Sequence, residues 1–407
     1  MNCRHCDQSL EHVFLDLGFA PPSNSYLTAS DLKVPESYIP LKLLVCHKCW
    51  LVQTEDYADA DDLFSPNYAY FSSVSQSWLD HALRYVQKII TQLGLNTQSY
   101  VIEVASNDGY LLKNFIAAGI PCLGIEPTAS TADAAEALSI PVLREFFGTN
   151  TALRLANENK QADLIIGNNV YAHVPDINDF TLGIKKLLKP GGVITLEFPH
   201  LLRLIENNQF DTVYHEHFSY LSLQTVSRIF EQAGLRVWDV EHLLTHGGSL
   251  RVYGCHGDDS RAETGVVQES LAEEKKYGLQ KLSTYQAFQA CAERVKTDLL
   301  LYLIEQKRAG KTIAAYGAAA KGNTLLNYAG IKPDFLEYIC DAAPSKQGKY
   351  MPGSHIPILK PAILRERRPD IVLILAWNIA EEVIAQNAYV REWGGEFAVA
   401  VPKISII

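Results

Sequence analysis

From Tyr100 to Phe198 short strand-like runs alternate with helical stretches, and no other feature constrains the chain so strongly. The runs are Tyr100 to Ala105, Cys122 to Glu126, Pro141 to Leu143, Asp163 to Gly167 and Val193 to Phe198. Helical stretches around Tyr110 to Ala118, Thr131 to Leu138, Asn150 to Asn157 and Ile177 to Leu188 separate them. That alternation predicts an α/β fold with a parallel sheet covered on both faces. Lys189-Pro190-Gly191-Gly192 stops the fourth helix, Ser222 caps a later one that runs to Gly234, and Leu235 to Glu241 with Ser249 to Tyr253 read as a closing strand pair.

The flanks differ in texture. Before about Phe71 the apolar pieces are short and broken by Pro21-Pro22, Pro35, Pro40 and Pro66, which predicts a small loop-rich unit in need of a staple. After it, Trp78, Leu79, Ala82, Leu83, Val86, Ile89, Ile90 and Leu93 recur at helical spacing. A long charged helical region from about Ala262 to Gly310 precedes a second alternating unit with strands at Lys311 to Tyr316, Phe335 to Cys340 and Ile371 to Ala376 and a helix starting near Lys321. The predicted domains are therefore residues 1–74, 75–260 and 261–407.

Composition narrows the classes of function. At 407 residues, 47% apolar and 20% charged, the chain is too long for one small domain and too ordinary for wholesale disorder or coiled coil. A formal charge of -10 makes nucleic acid a poor partner while leaving small phosphorylated ligands open. Met1 to Leu10 contains no apolar run to serve as a signal peptide, and the longest such run elsewhere, Ile371 to Trp377, is too short to span a bilayer. A cytoplasmic protein with no membrane segment is expected.

Four of the eight cysteines form two pairs, Cys3-Arg-His-Cys6 and Cys46-His-Lys-Cys49. Each pair can present two thiolates from a tight turn, so Cys3, Cys6, Cys46 and Cys49 together suit one structural Zn²⁺ with no position left for substrate. The 39 residues between Cys6 and Cys46 exceed the usual ribbon spacing, and His5, His12 or His47 can stand in for a cysteine. The competing reading is a pair of reduced or redox-active thiols. Cys122, Cys255, Cys291 and Cys340 are scattered singly in apolar surroundings and read as buried thiols.

Val101-Ile-Glu-Val-Ala-Ser-Asn-Asp-Gly109-Tyr-Leu-Leu is a strand, a small-residue turn and a helix, and the next strand ends in Glu126. This is the layout of an adenosine site, in which backbone approaches the ligand and an acidic side chain takes both ribose hydroxyls. The G-x-G-x-x-G that cradles a pyrophosphate is absent, which shifts the reading from NAD to S-adenosylmethionine. An ordinary strand-turn-helix with a polar edge is the plain alternative. Gly167-Asn168-Asn169-Val170 then ends the fourth strand at the carboxyl edge where ligands of open α/β sheets bind.

Tyr214-His215-Glu216-His217 puts four ionisable side chains, two of them imidazoles, into four residues just past the fifth strand. Methylating carbon needs a base to remove a proton beside a carbonyl and a donor to hold the enolate, tasks that suit a histidine and a tyrosine. A metal site or a satisfied polar cluster is the alternative, although two histidines two apart lack the spacing of a zinc peptidase. Further on, Gly317-Ala-Ala-Ala-Lys-Gly322 is a strand-loop-helix turn where a helix N-terminus and Lys321 favour an anion. Asn323 follows Gly322, so this is no Walker loop, and Lys346 or Lys349 can add charge for a diphosphate.

Taken together, the cysteine-pair region, Glu103 to Leu112, Gly124-Ile-Glu-Pro127, Asn168 to Pro175, Tyr214 to Ser219, His246-Gly-Gly-Ser-Leu-Arg251 and Gly317 to Gly322 resemble the sugar C-methyltransferases that act on nucleotide-linked 4-keto deoxysugars. The resemblance spans essentially the whole chain. It implies a Rossmann-like class I methyltransferase domain between a zinc-binding N-terminal domain and a smaller α/β C-terminal domain that helps hold a nucleotide sugar. S-adenosylmethionine would be held by Glu103, Ser106, Asn107, Asp108, Gly109, Glu126 and Asn168. The resemblance assigns the base to His217, with Tyr214, Glu216 and His173 beside it, and the substrate to Tyr68, Asn169, Ser249, Arg251, Lys321 and Lys346. The expected partner is a dTDP-linked 4-keto-6-deoxysugar methylated at C-3, and the expected assembly a monomer or homodimer. Ala105 stands where the family has the first glycine of its Gly-Ser-Asn-Asp-Gly turn. Competing readings are an NAD-dependent or epimerase-like sugar enzyme, an O- or N-methyltransferase, and a zinc-containing binding protein without turnover.

Overall fold

The computed structural model of the protein describes residues 1–55 and 71–407, so Tyr68 and its neighbour Tyr70 lie outside the described residues. Three sheets organise the chain. The first arises where the sequence predicts loops: β1 (His12–Ala20), β2 (Ile39–Val45) and β3 (Val52–Thr54) pair antiparallel. Register shifts between Val13 and Leu15 and between Asp16 and Phe19 bulge β1, so that Phe14 and Leu15 are both fully buried while Phe19 is exposed. Bulges of this kind erase the period-two alternation by which a half-buried strand is recognised.

The central sheet follows the expected alternation. Ser75 caps α1 (Gln76–Leu93), and there follow β4 (Val101–Val104), α2 (Leu112–Ala117), β5 (Cys122–Ile125), α3 (Ala129–Ala137), β6 (Val142–Leu143), α4 (Thr149–Asn157), β7 (Ala162–Asn168), α5 (Ile177–Leu187) and β8 (Leu188–Pro199). The strand order is β10-β11-β8-β7-β4-β5-β6. Strands β8, β7, β4, β5 and β6 run parallel, while β11 (Ser249–His256) pairs antiparallel with both β8 and β10 (Leu235–Leu243) and alone runs against the rest. Lys189 to Gly192 do not form a free turn, because β8 absorbs them as an irregularity in its pairing with β7. Between β8 and β10 lie α6 (Leu201–Glu206), β9 (Ser219–Tyr220) and α7 (Leu223–Ala233), the last capped by the Ser222 side chain and closed by Gly234 in the left-handed conformation.

The charged region forms α8 (Gly265–Tyr277), α9 (Leu282–Gln286) and α10 (Phe288–Arg308). It leads into the third sheet through β12 (Ile313–Tyr316), α11 (Ala320–Ala329), β13 (Ile339–Cys340), β14 (Ile358–Leu359), α12 (Ile363–Arg367), β15 (Ile371–Ile374), α13 (Ala380–Gln386), β16 (Glu396–Val399) and β17 (Ser405–Ile406). Its order is β14-β13-β12-β15-β16-β17, parallel except for β17.

The three sheets share cores. Phe14 of β1 stacks on Phe288 of α10 at 4.9 Å in a cluster that also holds Leu43, Phe210, Leu325 and Ile339. Strand β9, from the middle of the chain, pairs with β3 and becomes the fourth strand of the first sheet. No helix among the described residues is long and apolar enough to cross a membrane.

Candidate active site and metal centre

The central sheet changes direction between β4 and β7, and the crevice at such a switch point is where α/β ligands bind. The turn after β4 fills it. Ala105, Asn107 and Gly109 take φ values of 57°, 49° and 75°, a contorted path that points backbone and side chains inward. A Cβ at Gly109 would lie 2.3 Å from Ile140 Cδ1, so glycine is required there for space as well as for φ. Ala105 occupies the left-handed region at a cost on the order of 1 kcal/mol relative to glycine, which explains why the related turn has glycine at this position.

Glu126 closes the crevice from the end of β5, accepting from Asn107 N and Thr128 N, both at 2.9 Å. Ser72 N and Ser73 N donate to Asn107 Oδ1 and Asp108 Oδ2 at 2.9 and 3.0 Å. Against these satisfied groups stands a set of buried atoms with no hydrogen-bond partner: both oxygens of Glu103, Ser106 Oγ, Asp108 Oδ1 and both polar atoms of the Asn168 side chain. Buried polar atoms are normally paired, so a cluster of orphans at a switch point marks a ligand's footprint. Burial, reinforced by Asp108 and Glu126, raises the Glu103 carboxyl well above its usual range. Three clustered carboxylic acids suit a cationic guest with ribose hydroxyls and repel a pyrophosphate. The unpaired atoms of Glu103, Ser106, Asp108 and Asn168, next to the carboxylate of Glu126, are compatible with S-adenosylmethionine, which carries no phosphate.

A second group of residues meets beyond Asn169. The His217 ring lies 4.1 Å from that of Tyr214 and 4.5 Å from that of His173, centroid to centroid. His173 Nδ1 donates to the Glu216 carbonyl at 2.8 Å, and the Glu216 carboxylate accepts from Asn24 Nδ2 at 2.9 and 3.0 Å. Burial, helped by the neighbouring His173 and His246, holds His217 well below the usual histidine range, so it is a neutral base near pH 7. His215 points elsewhere, its Nε2 bonded to the Ile39 carbonyl of β2 at 3.3 Å.

The third sheet brings two lysines to this pocket. Lys321, at the start of α11, donates to Asn378 Oδ1 at 2.7 Å and lies 4.5 Å over the Trp377 ring. Trp377 Nε1 in turn donates to Asp211 Oδ2 at 2.7 Å. Burial brings Lys321 down to about 8 and Asp211 up to about 6. Lys346 donates to the Ala318 carbonyl at 2.8 Å and sits 5.3 Å over the Tyr26 ring. Asn24, Tyr26, Asp211 and Trp377 carry no sequence motif, and only their convergence in space reveals them; His246 belongs to a sequence block that assigns it no role.

Arg251 and Ser249 depart from the expected substrate role. Arg251 is fully buried and committed to Glu197 at 2.5 Å and Glu241 at 3.0 Å, with His81 at 3.0 Å, and Ser249 Oγ donates to the Thr245 carbonyl. A buried guanidinium with two carboxylate partners keeps only its Nε unpaired, so most of its donors are already engaged. Cys291 also departs, being only half-buried, whereas Cys122 and Cys340 are buried thiols pushed up to about 12 by desolvation.

The acid range tests the buried histidines. Desolvation holds both His173 and His246 down at about 4. An unfolded histidine takes up its proton below about pH 6.5, whereas these two stay neutral in the fold until about pH 4. Each therefore costs stability as pH falls through that window, by about 1.4 kcal/mol per pH unit. Raised carboxyls such as Asp211 act in the opposite sense, so the quantity to measure is a difference. Wild type minus His173→Asn stability, from denaturant melts, is expected to shrink between pH 6.5 and 4 and to be flat above 7.

The ligand sulfurs of Cys3, Cys6, Cys46 and Cys49 lie within 4.8 Å of one another, with Cys3 to Cys49 at 3.4 Å and Cys6 to Cys46 at 3.5 Å. A tetrahedron of zinc–sulfur bonds of about 2.3 Å has edges of about 3.8 Å, so the four thiols fit one Zn²⁺. Each pair sits in a tight turn: Asp7 N donates to the Cys3 carbonyl and Trp50 N to the Cys46 carbonyl, and Asp7 and Trp50 both adopt positive φ. The histidine alternatives drop out. His5 bonds Asn178, and His12 packs edge-on against His47 at 5.4 Å.

Comparison with known proteins agrees with this layout. Family profiles match in three blocks: a candidate zinc-binding domain over residues 3–64, a methyltransferase domain over 77–240 and a C-methyltransferase C-terminal domain over 244–402. C-methyltransferase NovU of Streptomyces niveus is 34% identical over 405 residues, covering 100% of this chain and 96% of that protein. The ubiquinone biosynthesis O-methyltransferase of Bartonella tribocorum is 29% identical over 100 residues, 23% of this chain and 38% of its own. Among solved structures, an S-adenosylmethionine-dependent methyltransferase from Clostridium acetobutylicum superposes with a TM-score of 0.36 at 12% identity, over 44% of this chain and 92% of that one.

Proposed function

Because the chain belongs to the S-adenosylmethionine-dependent C-methyltransferases, we propose that its acceptor is a nucleoside-diphosphate 4-keto-6-deoxysugar and that the methyl group enters at C-3, beside the ketone. One observation carries the reading: a buried, neutral His217 is packed between Tyr214 and His173, and another sheet contributes two buried lysines, Lys321 over Trp377 and Lys346 over Tyr26. A neutral imidazole is suited to removing an acidic carbon-bound proton, and buried lysines are suited to a diphosphate.

In this reading His217 takes the C-3 proton, the C–H electron pair becomes the C3–C4 double bond, and the ketone oxygen takes up the negative charge. Tyr214 donates a hydrogen bond to that oxygen. S-adenosylmethionine, when bound, supplies an electrophilic methyl on a positively charged sulfur. His173, locked by the Glu216 carbonyl, and Glu216, locked by Asn24, hold the base loop in place. Lys321 and Lys346 take the diphosphate, dTDP being the first nucleotide to try, and Asn169 belongs to the same acceptor site. No disulfide joins the eight cysteines, four of which form the metal centre, and this accords with a reducing, cytoplasmic setting.

The test is mass spectrometry of a panel of nucleoside-diphosphate 4-keto-6-deoxysugars incubated with the enzyme and methyl-deuterated S-adenosylmethionine. A gain of one labelled methyl with loss of the C-3 proton is expected. Label on oxygen or nitrogen would overturn the reading. Lys321→Ala is expected to raise KM for the nucleotide sugar about tenfold with little change for the cofactor, since a phosphate contact is lost; the reverse pattern would remove Lys321 from the acceptor site.

A further inference from the structure

His246, in the loop joining β10 to β11, takes no part in the reaction as drawn above, yet the chain holds it in a costly conformation. Its φ of 54° is left-handed, and so is that of Asn169, also 54°. A histidine kept in this region costs about 1 kcal/mol or more, whereas asparagine bears it more readily, and such strain persists where the surroundings over-determine it. Here the two left-handed residues bond each other: Asn169 Nδ2 donates to His246 Nε2 at 3.1 Å.

That bond fixes the ring. With Nε2 accepting, the neutral imidazole carries its hydrogen on Nδ1, and Nδ1 has no partner among the described residues. The ring packs against Trp78 at 5.2 Å, and Trp78 also stacks at 5.9 Å on Tyr110, the residue after Gly109 of the cofactor turn. On the other side His246 is close enough to His217 to bear on its protonation. The donor therefore lies between the cofactor cradle and the base. Its loop is also pinned, because a Cβ at Gly247 would lie 2.5 Å from Trp377 Cη2 and 2.6 Å from Gln209 Nε2.

We propose that His246 is a catalytic residue, its Nδ1–H held by Asn169 to donate a hydrogen bond to the ketone oxygen of the sugar beside the carbon that is methylated. The proposal rests on the acceptor reading above and deepens it. As His217 removes the proton, the C–H pair enters the ring bond and the carbonyl π pair moves to oxygen, where Nδ1–H and the Tyr214 hydroxyl share the charge. When the carbon bonds the methyl, the sulfur keeps the pair of the broken S–C bond, the carbonyl re-forms, and His246 keeps its proton throughout.

The experiment uses the full-length zinc-loaded protein and the variants His246→Ala and His246→Asn. Asparagine tolerates the left-handed conformation and places an amide N–H near the position of Nδ1; alanine offers no donor. The readouts are methyl transfer, wash-in of solvent deuterium at the acceptor carbon, S-adenosylhomocysteine binding by calorimetry and the melting temperature. His246→Ala is expected to lose 10²- to 10³-fold in both transfer and wash-in, with homocysteine-nucleoside affinity within threefold of wild type, and His246→Asn to stay within about tenfold of wild type. Equal loss in both variants, alanine turnover within threefold of wild type, or transfer lost with wash-in intact overturns the proposal while leaving the acceptor reading standing. A wild-type enzyme that neither methylates nor exchanges any 4-keto sugar overturns the acceptor reading and this proposal with it.

Discussion

His217→Asn is expected to abolish methyl transfer and solvent-deuterium wash-in together, by 10² to 10⁴-fold, while leaving S-adenosylhomocysteine binding and the fold intact. The physical ground is the pairing of burial with basicity. Desolvation keeps the imidazole unprotonated, so its lone pair is available across the neutral range, and no other group in the pocket combines that with such close packing against Tyr214 and His173. Asparagine keeps a polar side chain of similar reach to satisfy the Thr212 carbonyl that His217 faces. The two readouts matter because they report different steps. Loss of transfer with wash-in preserved would mean that another group removes the proton and that His217 serves the methyl transfer alone. Full turnover with an intact fold would remove His217 from the mechanism.

The second large effect concerns the metal. Cys46→Ser, or prolonged chelation, is expected to lower the melting temperature by more than 10 °C and to eliminate turnover, with the loss of about one zinc per chain by elemental analysis. A structural zinc contributes on the order of 10–16 kcal/mol, as much as the whole net stability of a typical domain. The damage would not stay local. Arg4, between the first two cysteines, donates to the carbonyls of Pro175 and Thr54, and Arg228 of α7 donates to the Lys48 carbonyl between the second two. The cysteines themselves pack in the core of the central sheet. Strand β3 follows the second pair, and its partner β9 begins two residues after His217, so a loosened cysteine module frees the base loop. A metal-free protein that melts and turns over like wild type would show the thiols to be dispensable.

How much of this was legible in the sequence depends on how local each signal is. The central sheet was readable because each βα unit carries its own periodicity and turn residues, and the turn at Ser106 to Gly109 was readable because its contorted path needs small residues. The cysteine pairs were readable from their spacing, but His5, His12 and His47 dropped out as ligands only once the four sulfurs were seen together. The first sheet was not, since bulges in β1 scramble its alternation and its last strand comes from the far side of the methyltransferase domain. Arg251 shows the limit for single residues: sequence gives a charge but not its partners, and Glu197 and Glu241 consume this one. His246 was visible as part of a block, yet its backbone strain and its bond to Asn169 exist only in three dimensions.

Strand β9 also sets a timetable for synthesis. Strand β3 ends at Thr54, every one of its residues is buried, and the neighbour that covers its open side is not made until Ser219. At about 5–20 residues per second a translating ribosome needs roughly ten to thirty seconds to cross that interval. Throughout it the nascent chain displays an unpaired strand edge, an element prone to pair with a neighbouring copy. A metal ion captured early by the cysteine turns that flank β1 and β2 would hold this edge in register while it waits.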